Sequence, residues 1–404
     1  MGPKRIEVAD AHAGAQTTDT LFQKPTPSNL PKQRYNLHSS SRGKIHKPRP
    51  VQRTRKSKRK DEISSELLAA VPSVDTMTDA IKALWLGGVE KRRNTQPSLP
   101  SRVLTSFLLV SDTHNIEPSA PRDGSSPFRK PFPRTDVFIH AGDLTNEGTF
   151  KALKRAVDWI AEIPAELKIV IAGNHDWRLD DNYWGAEGDG KESRRCREYL
   201  MSEGMRKKGI WYLEDEMREF TLSNGAKFTV LASPCTPRGS HPHNSGSFRY
   251  EPTAKNYWHR KFPLINLPEQ VHIAVTHTPP HKMHDEVSPG QNVGCPELLR
   301  FLRDVRPLLS VCGHIHEAAG AKLVTWEKLD EKGDRTALAE RDLRPEIKKI
   351  ETPEGGIYSD LTGLTQELLE GEQTLFVNAS IAGDGGRAGR SPVMVELVLP
   401  YTTA

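Results

Sequence analysis

Side chains able to bind a cation or move a proton follow a short apolar run near residue 110. Asp112 and His114 come directly after residues 103–110, within the sequence Ser-Asp-Thr-His. A carboxylate and an imidazole at this spacing suit metal binding or acid–base chemistry. Taken alone, the pair equally fits an aspartate that caps a turn and an ordinary polar histidine, so the rest of the chain has to decide.

Four later apolar runs end in the same kinds of side chain. With the first run they supply seven candidate metal ligands: Asp112, His114, Asp143, Asn174, His277, His314 and His316. All seven offer oxygen or imidazole nitrogen and none a thiolate, a set that Mn(II), Fe(II) and Zn(II) prefer. Seven ligands exceed the needs of one open site, whereas two ions about 3.5–4 Å apart that share a carboxylate would use them all.

The segments that carry these residues predict an α/β domain. Residues 103–110 form a continuous apolar run, which is typical of a strand buried on both faces, and open α/β sheets place ligand sites at the carboxyl ends of such strands. Residues 136–171 predict a strand, an amphipathic helix over 150–160 and a second strand. The right-handed crossover of such a unit brings Asp143 close to Asn174.

Glycine precedes three of the candidate ligands, at Gly142, Gly173 and Gly313. At these points a strand must turn sharply and its backbone must come close to the ions, which a residue without Cβ permits. Each glycine alone also fits the ordinary end of a strand. The repetition at successive strand ends favours the functional interpretation.

Further elements complete the predicted domain. They are a surface helix within 185–205, short strands over 210–213, 220–222 and 228–231 with a hairpin turn at Asn224-Gly225, a helix over 296–305, and closing strands over 374–378 and 393–399.

The basic residues of the chain are concentrated in its first segment. The 404 residues carry a net charge of +5, with 36% hydrophobic residues and a mean hydropathy of −0.60. Residues 1–60 hold 15 Lys and Arg against 3 acidic residues, a net +12, which leaves −7 for the remainder. Few apolar residues occur in residues 1–64, so we expect a disordered basic tail there.

We expect three parts in the chain: the tail over 1–64, short helices and a linker over 65–101, and one catalytic domain over 102–404 with a charged insertion at about 327–373. The dense basic cluster at residues 53–60 suits nuclear import or loose nucleic-acid contact, and equally a solubilising tail.

Cysteine usage and hydropathy indicate an intracellular protein, cytoplasmic or nuclear. The four cysteines, Cys196, Cys235, Cys295 and Cys312, lie far apart without a C-x-x-C pair, so neither a disulfide framework nor a thiolate zinc site is expected. No apolar run approaches the 18 residues or so that a membrane span needs, and no hydrophobic signal segment is visible at the amino terminus.

Five motifs in this order resemble the blocks of the calcineurin-like metallophosphoesterase superfamily: Ser-Asp-Thr-His, His-Ala-Gly-Asp, Gly-Asn-His-Asp, Thr-His-Thr-Pro-Pro and Gly-His-Ile-His. Residues 233–237, Gly294-Cys295, Glu317 and residues 376–380 further resemble the branch of metallophosphoesterase-domain-containing proteins of the fetal-brain type. The resemblance covers residues 102–399 and weakens over 327–373. It implies two facing mixed β-sheets flanked by helices, an αββα sandwich.

The resemblance also implies a role for each site residue. Asp112, His114 and His316 match ligands of the first metal, Asp143 matches the bridging carboxylate, and Asn174, His277 and His314 match ligands of the second. His175 matches the histidine that stabilises the phosphoryl oxygens or protonates the leaving group, and we expect it to be catalytic. One departure lies before Asp285, where relatives tend to have Gly-His-Leu and this chain has Lys282-Met-His284.

These features predict a metal-dependent phosphoric ester hydrolase that uses two divalent ions, Mn, Fe or Zn. A water bridging two such ions loses its proton near neutral pH and attacks phosphorus in line. Small phosphate esters, nucleotides or cyclic nucleotides are the expected substrates. Two alternatives remain: a nuclease whose basic tail contacts nucleic acid weakly, and a catalytically silent scaffold, which the intact ligand set disfavours.

Overall fold

The structure is a computed structural model that describes residues 101–402, apart from 123, 184–189, 239–245, 253–254, 269, 327–336, 345–346 and 384–386. The predicted tail, the predicted linker up to residue 100 and the basic cluster at 53–60 lie outside the described residues. The first ten residues of the predicted insertion, 327–336, lie outside them as well.

Within the described residues the chain forms eighteen strands and six α-helices. The strands are β1 (Arg102–Val110), β2 (Val137–Ala141), β3 (Leu167–Ile171), β4 (Ile210–Tyr212), β5 (Glu216–Thr221), β6 (Lys227–Ser233), β7 (Thr236–Pro237), β8 (Arg249–Tyr250), β9 (Ile273–Thr276), β10 (Glu286–Ser288), β11 (Gln291–Asn292), β12 (Leu309–Cys312), β13 (Gly320–Trp326), β14 (Ala337–Asp342), β15 (Lys348–Glu351), β16 (Ile357–Asp360), β17 (Gln373–Asn378) and β18 (Val393–Pro400). The helices are α1 (Phe150–Ala161), α2 (Gly190–Leu200), α3 (Glu203–Lys207), α4 (Tyr257–Lys261), α5 (Pro296–Val305) and α6 (Thr362–Thr365).

Fourteen of the described strands make two seven-stranded mixed sheets. The first has the order β15-β16-β18-β1-β2-β3-β4 and the second the order β14-β13-β17-β12-β9-β6-β5. In the first sheet β1, β2 and β3 are parallel neighbours. In the second sheet β9 is parallel to β12. The carboxyl ends of these five strands carry all the candidate ligands.

Three apolar layers explain how the sheets pack. The inner faces of both sheets share one core, in which the Phe107 ring of β1 meets the Phe228 ring of β6 at 5.8 Å between centroids. The outer face of the first sheet packs against α1 and α2, and that of the second against α4 and α5. Strands buried on both faces therefore consist of continuous apolar runs. The predicted αββα fold class is confirmed.

The predicted strand–helix–strand unit is β2–α1–β3, with β2 parallel to β3. Helix α1 begins after Thr149, whose hydroxyl accepts a hydrogen bond from the Ala152 amide at 3.3 Å. The predicted helix over 296–305 has the same bounds as α5, with proline at its first position.

The described part of the predicted insertion adds strands to the edges of both sheets. Strand β14 pairs with β13 at one edge of the second sheet, and β16 pairs with β18 so that β15 ends the first. No pattern in the sequence predicted these strands. Among the described residues no helix is both long and apolar enough to cross a membrane.

Candidate metal centre

The carboxyl ends of β1, β2 and β3 meet those of β9 and β12 where the two sheets come together. One direct link is the His314 amide, which donates to both carboxylate oxygens of Asp112 at 3.0 Å each. Another is Nδ1 of His277, after β9, which lies 2.9 Å from the carbonyl oxygen of Ala141 on β2. The strand ends of both sheets therefore lie close together, as the positions of the motifs predict.

The first cluster of possible ligands consists of Asp112, His114 and His316. Nε2 of His316 lies 3.3 Å from Oδ1 of Asp112 and 3.1 Å from Nε2 of His114. Asp112 is fully buried, whereas the two imidazoles are only partly covered. One atom from each side chain lies within 4.8 Å of the others, a spacing that one cation can span.

The second cluster consists of Asp143, His277 and His314, all of them buried. Nε2 of His277 lies 3.3 Å from Oδ2 of Asp143 and 2.9 Å from Oδ1 of Asn174. The same Oδ2 of Asp143 lies 3.5 Å from Nε2 of His114, a member of the first cluster. The Asp143 carboxylate therefore lies between the two clusters.

His175 belongs to a third, overlapping cluster with His114 and Asp143. Its amide donates to Oδ1 of Asp143 at 2.8 Å, and its ring stands at 85° to the His114 ring, with 4.8 Å between centroids. Nδ1 of His175 lies 3.1 Å from the Asn146 carbonyl oxygen and must carry a proton to bond there. This contact leaves Nε2 available to a metal or a substrate.

The donor set fits divalent cations. Nδ1 of His277 lies 2.9 Å from the Ala141 carbonyl oxygen, which requires a proton on Nδ1 and directs Nε2 towards Asp143. A backbone carbonyl that orients an imidazole in this way is the usual support of a metal-binding histidine. The opposed nitrogens of His114 and His316, 3.1 Å apart, likewise suit a shared cation.

The two buried carboxylates have lowered pKa values. Burial alone raises the pKa of Asp112, but the hydrogen bond and charge of His316 outweigh it and hold that pKa below the ordinary value. Burial likewise opposes ionisation of Asp143, and the neighbouring His277 overcomes it, so the pKa of Asp143 lies well below its usual range. Both groups therefore present negative charge to a cation.

The imidazoles differ according to their distance from these carboxylates. Burial lowers the pKa of His314 to about 3. Burial acts in the same direction on His277, but its contact with Asp143 raises the pKa of His277 to about 9. The pKa of His114 is lowered, chiefly by burial, whereas the hydrogen bond to Asp112 raises the pKa of His316 against the effect of burial.

The backbone at the centre is strained. Asp112, His114, Asp143 and His314 all adopt left-handed conformations, with φ of 54°, 45°, 54° and 69°. Each costs about 1–3 kcal/mol in a residue other than glycine, and such strain concentrates at functional sites. Gly142, with φ of 99°, permits the turn before Asp143.

Asp176 supports the centre, although the sequence analysis gave it no role. This buried carboxylate accepts hydrogen bonds from the amides of Gly173 (2.9 Å), Leu144 (3.1 Å) and Thr145 (3.0 Å), and from the Thr145 hydroxyl (2.8 Å). It thereby joins the loops that carry Asp143 and Asn174. Burial first, and then the charge of Asp143, raise the pKa of Asp176 to about 6. Its place in the Gly-Asn-His-Asp motif was the only signal available.

The chain belongs to the calcineurin-like phosphoesterase family, whose model matches residues 105–318, just over half of the chain. Among curated proteins, a probable rhamnogalacturonate lyase C of Emericella nidulans is 35% identical over 226 residues, which are 55% of this chain and 18% of the fungal protein. The human metallophosphoesterase domain-containing protein 1 is 33% identical over 225 residues, 54% of this chain and 62% of the human protein. These matches confirm the resemblance inferred from the motifs.

The matched region thus spans less than two thirds of either relative. Among solved structures, the phosphopantetheinyl hydrolase of Mycobacterium tuberculosis has 18% identity and a TM-score of 0.33, covering 57% of this chain and 87% of that one.

Proposed function

We propose that the chain is a dinuclear metal-dependent hydrolase of phosphodiesters or phosphomonoesters that acts on small nucleotides or cyclic nucleotides. The observation that best supports this is the position of Asp143, whose Oδ2 lies 3.5 Å from His114 and 3.3 Å from His277. A carboxylate between two ligand clusters is what a bridging ligand requires. Asp112, His114 and His316 would hold one ion, and Asn174, His277 and His314 the other, with Asp143 shared.

When bound by these residues, two such ions would supply a water activated near neutral pH and would neutralise charge on the phosphate oxygens. His175 acts beside them: the bond from Nδ1 to the Asn146 carbonyl fixes the ring, and Nε2 donates a proton to the leaving oxygen. Imidazole suits this step because its ordinary pKa lies near working pH. The Asp112 and Asp143 carboxylates are buried away from bulk water, which strengthens their attraction for a cation.

The first test is hydrolysis by purified protein supplied with Mn(II), Fe(II) or Zn(II) in turn. The substrates are bis(4-nitrophenyl) phosphate, nucleoside monophosphates and cyclic nucleotides. Wild-type protein that releases no product with any ion would overturn the proposal.

The His175→Ala variant tests the proton donor. We expect kcat to fall by about 10²- to 10⁴-fold, the usual contribution of general acid catalysis, with metal content unchanged. His259→Ala is a matched control, because this partly buried histidine also has one polar partner, Asp304 at 2.9 Å, but lies on α4. Loss of metal from the His175 variant would make His175 a ligand instead.

A further inference from the structure

A polar pocket of about 260 Å³ is lined in part by the loops that follow β9 and β12, and it has no part in the chemistry proposed above. Its walls come from residues 282–292, from Ala318 and from strands β13 and β14. Ala318 ends the short turn that begins at His316, and Lys282 follows His277 by five residues. The pocket is therefore built on the same two loops that carry metal ligands.

The lining of the pocket is charged but nearly balanced. Three cationic side chains, Lys282, Lys322 and Arg344, stand against four carboxylates, among them Glu340 and Asp342. A second phosphate in the pocket would be repelled by the four carboxylates, and a cationic group would be repelled by the three cationic side chains. The balance therefore disfavours a strongly charged ligand of either sign.

Most of these charges are already paired. Nζ of Lys322 donates to the Lys282 carbonyl at 2.8 Å and lies 3.4 Å from Oε2 of Glu340. The Arg344 guanidinium donates from Nε to Oδ2 of Asp342 at 2.8 Å, and its Nη2 also bonds this carboxylate. Neutral pairs of this kind offer donors and acceptors side by side. A hydroxyl group, which both donates and accepts, matches that surface.

His284 belongs to the pocket wall, and its Nε2 is a buried acceptor. The side chain is only 6% exposed, and its ring donates to the Ala321 carbonyl, which leaves Nε2 unprotonated. Among the described residues Nε2 has no hydrogen-bond partner. The side-chain amide of Asn378 donates to the His284 carbonyl at 3.0 Å and to the Ile315 carbonyl at 2.8 Å. These two bonds tie the His284 backbone to the loop of the metal centre.

We propose that this pocket binds the uncharged, hydroxyl-rich part of a phosphate ester, such as its sugar, while the phosphate lies at the metal centre. Its volume suits one group of sugar size. Apart from the His284 imidazole its wall has no aromatic ring among the described residues, so a nucleobase would find no stacking surface there. The inference rests on the proposed function, because the phosphate must bind at the neighbouring centre.

The test compares ribose 5-phosphate with phenyl phosphate, two monoesters that differ in the hydroxyl groups of the non-phosphate part. Lys322→Met removes a donor from the pocket, and Glu340→Ala removes its partner without breaking the bond from Lys322 to the Lys282 carbonyl. We expect kcat/KM for ribose 5-phosphate to fall by about tenfold or more in each variant, the loss of one hydrogen bond to a charged group. The value for phenyl phosphate should stay within about twofold.

Lys227→Met is the matched control. Lys227 on β6 pairs with Glu219 on β5 at 3.0 Å. This pair is of the same type as the pair between Lys322 and Glu340, but it lies at the opposite edge of the second sheet. This variant should change neither ester. Equal losses for both esters in the pocket variants, or no loss for either, would overturn the inference while the proposed function stands.

If wild-type protein hydrolyses neither ester, binding measurements test the polar pocket separately from the proposed function. Calorimetric titration of the metal-loaded protein should then show tighter binding of ribose 5-phosphate than of phenyl phosphate, and Lys322→Met should abolish the preference. That result would support the pocket, and the assays with bis(4-nitrophenyl) phosphate and nucleotides would still decide the proposed function. The absence of any preference would overturn the pocket as well.

Discussion

Gly173→Ala tests whether close backbone approach is what shapes the metal centre. A Cβ on Gly173 would overlap the amide and Oδ1 of Asp143 and lie 2.6 Å from Cε1 of His277. Gly173 does not have a positive φ, so alanine can adopt its backbone conformation. The substitution therefore acts only through steric overlap with Asp143, whose carboxylate lies between the two clusters, and with the His277 imidazole.

The size of the effect follows from these contacts. Carbon atoms in contact prefer about 3.5–4.0 Å, so His277 would have to retreat by about 1 Å. Metal sites tolerate deviations of only about 0.2 Å in their ligand distances. Overpacking of this kind costs about 1–3 kcal/mol. We expect the free energy of unfolding to fall by that amount and the variant to lose metal.

Urea unfolding and elemental analysis of metal content measure the two effects. Gly204→Ala on α3 is the control, since the Cβ there would approach only the Ser202 hydroxyl at 3.8 Å. Alanine within a helix should raise the free energy of unfolding by about 0.5–1 kcal/mol. Wild-type stability and full metal content in the Gly173 variant would show that the centre does not need a residue without Cβ at this position.

Two further predictions concern one buried carboxylate, Asp176, and one partly buried carboxylate, Glu214. Asp176→Asn turns one acceptor oxygen into a donor that faces backbone amides. Urea unfolding should then show a loss of about 1–3 kcal/mol in the free energy of unfolding for each N–H left without an acceptor, and the metal content should fall. Unchanged stability and metal content would rule out the supporting role of Asp176. Glu214, which accepts from Tyr212 and Arg197, has a pKa raised above the ordinary 4.5 mainly by burial, so the folded state holds its proton more tightly than the unfolded state. The free energy of unfolding should therefore fall as pH rises from 4.5 through the folded-state pKa of Glu214. Glu214→Gln should remove this part of the pH dependence. An unchanged pH slope in the variant would show that Glu214 does not cause it.

The buried strands were predictable because each has one long apolar run. Residues 103–110, for example, correspond to β1 within a residue at each end. The unit β2–α1–β3 was predictable for the same reason, since strand and helix periods differ. Convergence of the candidate ligands within each sheet followed from their position at the carboxyl ends of parallel strands. The assignment of individual ligands to individual ions stays a prediction.

The strands of residues 337–373 could not be predicted from their pattern. Strand β15 has the sequence Lys-Lys-Ile-Glu and is mostly exposed, so no apolar alternation marks it. Edge strands form because a neighbouring strand offers unpaired backbone groups. Strand β15 pairs with β16, and β16 is held in the sheet by β18, which is distant in the chain. The same segment supplies Glu340, Asp342 and Arg344 to the polar pocket, a role that no local signal indicates.

By itself, the sequence determined which chemical groups are present and in what order. Oxygen and imidazole donors follow apolar runs at five points, and those choices are visible because metal chemistry restricts residue types. Only the tertiary structure placed Asp143 between two clusters and assembled the pocket beside them. The physical reason is that a residue type is local, whereas a distance between residues hundreds of positions apart depends on how two sheets pack.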